Sequence, residues 1–314
     1  MLRNLRNALL LYTLRLQFLF GRWFAPERTA RRAGDLFCQP MGSSRSRARA
    51  APTMGAEEQD LDVDGTRIHL YVWGDPTQQP YVLFAHGWSS HGTRVASWLQ
   101  SLRESGYAVV AFDQAGHGRS GGKRTNLVDF TCHLLAVGRR FGPAAAVIGH
   151  SLGGSATALA LARGLHAERA VLIAPMADPL FAVRRFSQMI WLGQRLGRRM
   201  FARFEQAMNF EASELHAEYN APKIARPALI VHDLEDREVP WADGECYARA
   251  WHDSRLLSTT GLGHNRIVGD AGVIDAAMRF LRGECVGQRV VSSPNLPYGL
   301  ACAGILPDSP RVPT

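Results

Sequence analysis

Apolar runs too short for helices recur along the chain, at 81–85 (YVLFA), 107–112 (YAVVAF), 144–148 (AAAVI), 170–173, 228–232 (ALIVH) and 255–259 (RLLST). Each reads as a strand, because a brief, mostly apolar run between turn residues suits a strand covered on both faces. Helical spacing appears between them, at 95–104, in the small-residue run after Ser151, at 241–252 and at 271–282. Upstream, 57–74 predicts two strands joined at the tight-turn dipeptide Asp64-Gly65. Strands alternating with helices predict an α/β fold with a mostly parallel central sheet and helices on both faces. The alternation fails once. After Pro175 the chain is rich in Met, Phe, Trp and Arg and holds no strand, which predicts a helical insertion at about 176–221.

The first 24 residues follow another pattern. On a helix, Leu2, Leu5, Leu9, Tyr12, Leu16, Leu19, Phe20 and Trp23 form one stripe, with Arg3, Asn4, Asn7, Arg15 and Arg22 on the other side. Four arginines interrupt the segment, so it is too polar to span a membrane, and Arg15 spoils the apolar region of a signal peptide. Leu10, Leu11, Leu14 and Phe18 intrude on the polar side. Two covers for the stripe therefore stay open: the surface of a membrane, or packing against the body. The expected organisation is a basic amphipathic helical arm at 1–40, a Ser/Arg/Ala linker at 41–56 and a main domain at 57–285. The tail, 286–314, carries four prolines from Pro294 to Pro310 and is expected to be extended or disordered.

Charge sharpens this division. The chain of 314 residues has a net charge of +8. Residues 1–50 hold ten Arg against Glu27 and Asp35, which accounts for all of it. The other 264 residues balance at 26 basic and 26 acidic groups, so no basic nucleic-acid groove is expected on the main domain. Five scattered cysteines without a CxxC give neither a disulfide framework nor a zinc site. They suit a reducing compartment, so the expected location is the cytoplasm, with the inner membrane face if the arm binds lipid.

The chemistry centres on Gly149-His150-Ser151-Leu152-Gly153, a GxSxG after a buried strand and before a helix. That context is the one a nucleophile elbow requires. A serine hydroxyl needs a base and an orienting carboxylate, expected in the order Ser, acid, His. His264 is the last histidine of the chain and follows Gly261-Leu262-Gly263. The loop after 228–232 offers Asp236 as the acid, with Glu235 and Asp233 as alternatives; Asp233 is expected in a turn with left-handed backbone. Oxyanion donors are expected from the backbone N–H groups of Leu152 and Trp88. His86 is expected to brace its loop. No cofactor or metal is called for.

Together, His86-Gly87-Trp88, the block from Asp113 to Gly122 (DQAGHGRSGG), Gly149–Gly154, Asp236-x-x-Val239-Pro240 and Gly263-His264 resemble the α/β-hydrolase superfamily. The DxxGHGxSxG block followed by Lys123-Arg124 is similar to the monoacylglycerol lipase and lysophospholipase-like branch. The resemblance covers about residues 57–283. It implies a Ser151–Asp236–His264 triad, a lid at about 176–221 and cleavage of small-molecule carboxylic esters. A serine nucleophile separates the chain from branches that use aspartate there. Thioesterase, amidase or peptidase, and acyltransferase chemistry stay open on the same triad, as does a ligand-binding protein without turnover. Met189, Trp191 and Phe201 of the insertion are candidates to border an acyl pocket, against the alternative that they pack its core.

Overall fold

The structure, a computed structural model, describes residues 2–208 and 210–290; the expected tail lies outside the described residues from 291 onward. In chain order come α1 (Leu2–Phe24), α2 (Pro26–Phe37), α3 (Gly42–Ala50), β1 (Glu57–Val63), β2 (Thr66–Trp73), β3 (Tyr81–Ala85), α4 (Ala96–Glu104), β4 (Ala108–Asp113), α5 (Leu127–Phe141), β5 (Ala144–His150), α6 (Leu152–Ala162) and β6 (Ala167–Ile173). There follow α7 (Pro179–Met189), α8 (Gln194–Met208), α9 (Ala217–Asn220), β7 (Ala228–Asp233), α10 (Trp241–Ala250), β8 (Ser254–Thr259), α11 (Gly263–Arg266) and α12 (Ala271–Leu281). The chain divides into two compact units, Pro40–Ala177 with His216–Thr314, and Met1–Gln39 with Asp178–Leu215.

The first unit is built on an eight-stranded sheet of order β1-β2-β4-β3-β5-β6-β7-β8. Its β1–β2 and β2–β4 pairs are antiparallel and the rest parallel. Alternate side chains of each central strand feed opposite cores, as a period of two demands. Leu83, Val147, Leu172 and Ile230 pack on one face with Leu134 of α5 and Trp251. Phe84, Ile148, Ile173 and Val231 pack on the other with Trp98 of α4 and Met278 of α12. The expected strands and their connecting helices are present within a few residues. Helix α5 was not among the expected elements, although Phe130, Leu134 and Val137 repeat at helical spacing and Asn126 caps it through Val128 and Asp129 N–H.

The expected linker needs correction: 42–50 is helix α3, not irregular chain. Arg45 holds it, its guanidinium donating to the carbonyls of Gly116 (2.9 Å), Ser120 (3.0 Å) and Gly122 (2.8 Å). The contacts that order this segment are 71 to 77 residues away in sequence, so local pattern could not reveal them.

The second unit is all helical. The arm and the insertion, read as separate segments, share one core in which Phe18, Ala30 and Ala33 meet Val183, Leu196 and Met200. Leu14 and Phe18, which spoiled the polar side of the arm, are the residues that pack there. Arg15 Nε donates to the carbonyl of Met189 at 2.8 Å, and its guanidinium lies 5.0 Å from the Trp191 ring. The insertion proper is Asp178–Leu215, slightly shorter than expected.

Candidate active site

The site is assembled at one end of the parallel strands. Ser151 lies between β5 and α6 with φ 54° and ψ −123°, a conformation costly for a side-chain-bearing residue. The flanking glycines are needed for close approach. A Cβ on Gly153 would lie 2.3 Å from the Ala85 carbonyl oxygen, and one on Gly87 would lie 3.0 Å from Ser151 Cβ. The elbow and the His86-Gly87 turn are therefore pressed together by residues without side chains.

His264, on the short helix α11, meets the elbow from the loop after β8. Its Nε2 lies 2.9 Å from Ser151 Oγ and its Nδ1 lies 2.7 Å from Asp236 Oδ2. The carboxylate selects the tautomer with hydrogen on Nδ1, which leaves Nε2 free to accept from the serine hydroxyl. Asp236 Oδ1 accepts from the N–H groups of Glu238 (2.8 Å) and Val239 (2.9 Å). Burial pushes the Asp236 carboxyl up, but hydrogen bonds from His232, His264 and the Val239 N–H outweigh it and hold the group below the usual carboxylate range. The acid of this cluster stays ionised.

Asp233 plays another part. It is the last residue of β7 and does not adopt the left-handed turn expected of it. Its Oδ2 accepts from Thr259 Oγ1 (2.7 Å) and Leu262 N (3.0 Å), and Oδ1 accepts from Glu235 N (3.0 Å). It thus ties down the loop that delivers His264. Among the described residues the imidazole bonds Asp236 and Ser151, not Glu235.

The Trp88 and Leu152 N–H groups have no protein acceptor among the described residues. Trp88 follows the turn packed on the elbow, and Leu152 opens α6, where the first N–H groups lack helical partners. His86 braces this loop, donating from Nδ1 to the Gly87 carbonyl (2.7 Å) and accepting at Nε2 from Gln114 N (3.0 Å). Burial pushes its imidazole down to about 3, so it is neutral.

Two contributors escaped the sequence reading. His150, the residue before Ser151, donates from Nε2 to the backbone carbonyl of His264 at 2.9 Å; burial pushes it down to about 3. It fixes the His264 backbone to the elbow strand. Asp113 accepts from Gly92 N (2.7 Å), Arg119 N (2.7 Å) and Tyr71 Oη (2.9 Å), so the DxxGHGxSxG block serves to fold its own loop. The candidate pocket residues Met189, Trp191 and Phe201 belong to the helical unit. Phe201 is buried in its core against Phe210, and Trp191 meets Tyr12 edge-on at 6.0 Å. No cluster of three His, Cys, Asp or Glu suited to a metal occurs among the described residues.

Comparison with known proteins agrees with this architecture. A family model described as serine aminopeptidase S33 (Hydrolase_4) matches residues 76–215. A monoacylglycerol lipase of Mycolicibacterium smegmatis is 36% identical over 108 residues, which are 32% of this chain and 39% of that protein. The chain thus spans well under half the length of the curated relatives it matches. Among solved structures, alpha/beta hydrolase domain-containing protein 10 from mouse aligns with a TM-score of 0.57 at 20% identity, covering 73% of this chain and 98% of its own. A bacterial membrane phospholipase A aligns with a TM-score of 0.57 at 19% identity, covering 90% and 99%. These structural likenesses establish the α/β-hydrolase fold.

Proposed function

We propose that this α/β-hydrolase is a serine hydrolase cleaving carboxylic esters with apolar acyl groups through an acyl-enzyme. One observation carries the reading: Ser151, His264 and Asp236 form a continuous hydrogen-bonded chain of 2.9 and 2.7 Å behind a strained elbow. Ser151 Oγ attacks the ester carbonyl while His264 Nε2 takes its proton. The Asp236 carboxylate stabilises the imidazolium, and the N–H groups of Trp88 and Leu152 receive the oxyanion. Collapse expels the alcohol, which takes the proton back from His264. Water, activated by the same imidazole, then releases the acid and restores the serine.

The mycobacterial relative, named as a monoacylglycerol lipase, supports an ester substrate. The description of the matched family model favours a second reading, attack on an amide at the amino end of a peptide, since the same groups acylate from either bond. Peripheral contact with a membrane through residues 1–24 completes the proposal; no helix among the described residues is long and apolar enough to cross one.

The test is labelling by a fluorophosphonate, followed by rates on p-nitrophenyl and glyceryl esters of graded chain length and on aminoacyl p-nitroanilides. Labelling and ester turnover in the wild type, both absent in Ser151→Ala, are expected. Turnover of anilides alone would replace the ester reading with the peptidase one, and no labelling would remove both.

A further inference from the structure

The packing of α1 resolves which of its two apolar sides is spoken for. Leu14 and Phe18 face the core shared with α2, α7 and α8. The opposite stripe is largely open: Leu9 is 65% exposed, Phe20 60%, Trp23 75% and Phe24 85%, with Tyr12 exposed beside Trp191 and Leu16 half-exposed between them. Steps of three and four residues align these side chains on one face. An apolar row of this length is rarely left facing water.

Charge identifies its cover. The helical unit holds thirteen arginines against six carboxylates, +7 of the chain's +8, with no lysine or histidine. Arg28, Arg31, Arg32, Arg195 and Arg198 are exposed. Two copies meeting through this face about a two-fold axis would bring two +7 units together, whereas an anionic surface converts the same charge into attraction. The aromatic end, Phe20, Trp23 and Phe24, suits the boundary between headgroups and acyl chains.

Resting on the peripheral contact proposed above, we infer that the outer face of α1 (Leu9, Tyr12, Leu16, Phe20, Trp23, Phe24) docks flat on an anionic lipid bilayer. Because the inner face of the same helix packs with α7 and α8, what docks is the arm together with the 178–215 insertion as one unit. The insertion is then held at the surface where lipid esters reside.

Co-sedimentation of the full chain, carrying Ser151→Ala so that lipid is not consumed, reads the binding directly. The vesicles are phosphatidylcholine alone and phosphatidylcholine with phosphatidylglycerol at about 7:3. The chain is expected to pellet with the mixed vesicles and about tenfold more weakly with the neutral ones. Phe20→Glu and Trp23→Glu are expected to weaken binding about tenfold each. Thermal melting checks that they fold, and Phe20→Ser and Trp23→Ser serve as milder versions. No pelleting of the parent chain overturns the contact itself, while pelleting retained by all four variants overturns the face. Equal binding to both vesicle types overturns the anionic partner. A dimer seen by light scattering, lost in the variants and unaccompanied by vesicle binding, replaces the bilayer with a second copy.

Discussion

Two aspartates three residues apart divide the work behind His264. Asp236 receives the imidazole N–H, whereas Asp233 anchors Thr259 and Leu262 beneath it. On the proposed mechanism, Asp236→Asn is expected to lower kcat about 10⁴-fold with little loss of stability, because the side chain can no longer set the His264 tautomer. Asp233→Asn is expected to do the reverse, costing about 1–3 kcal/mol in denaturant unfolding as a buried acceptor is lost. Ester kinetics and urea melts on both variants separate the roles; comparable losses of kcat in the two would merge them. From the residues alone Asp236 is the choice, by its place three residues past the strand and before Val239-Pro240, with Asp233 and Glu235 as alternatives, because a loop of four carboxylates has no period to say which one turns inward.

At the scale of the element, the insertion shows how one apolar stripe is divided between packing and exposed surface. Met189, Trp191 and Phe201 have the composition of an acyl pocket, yet Phe201 is sealed among helices α1, α2, α7 and α8. Phe201→Ala is expected to destabilise the helical unit by about 3–5 kcal/mol, the usual cost of a buried phenyl cavity, and to leave acyl-chain preference unchanged. Chain-length profiles alongside thermal melts check this, and altered preference at unaltered stability would return Phe201 to the pocket. Helix α3 is the opposite case. Its own sequence has few apolar residues to mark it, and Arg45 bonding to the 116–122 loop holds it in place.

Across the molecule, four of the buried histidines are held neutral: His86, His117 and His150 are pushed down to about 3 and His133 to about 4, each by burial. In the unfolded chain each titrates near 6.5, so between about pH 3 and 6.5 the unfolded state binds more protons. Stability is therefore full above about pH 6.5 and falls as the solution is acidified, by about 1.4 kcal/mol per pH unit for each such histidine. Denaturant unfolding from pH 7.5 to 5 is expected to give a slope of several protons; a flat profile would mean these imidazoles charge in place.

Strand runs, the Asp64-Gly65 hairpin and the GxSxG elbow were legible in the sequence because each is set by neighbours within a few residues: burial on both faces, a turn dipeptide, small residues at a sharp bend. The order Ser151, Asp236, His264 could be read for the same reason, since chain order survives folding. The tertiary structure alone decided that Asp233 ties down Thr259 and Leu262, that His150 holds the His264 carbonyl, and that α3 exists. It alone decided which side of α1 is covered and that the arm joins the insertion as one unit. These are contacts between residues tens to more than a hundred and seventy positions apart. A pattern along the chain records that a face is apolar; only packing in three dimensions determines what it meets.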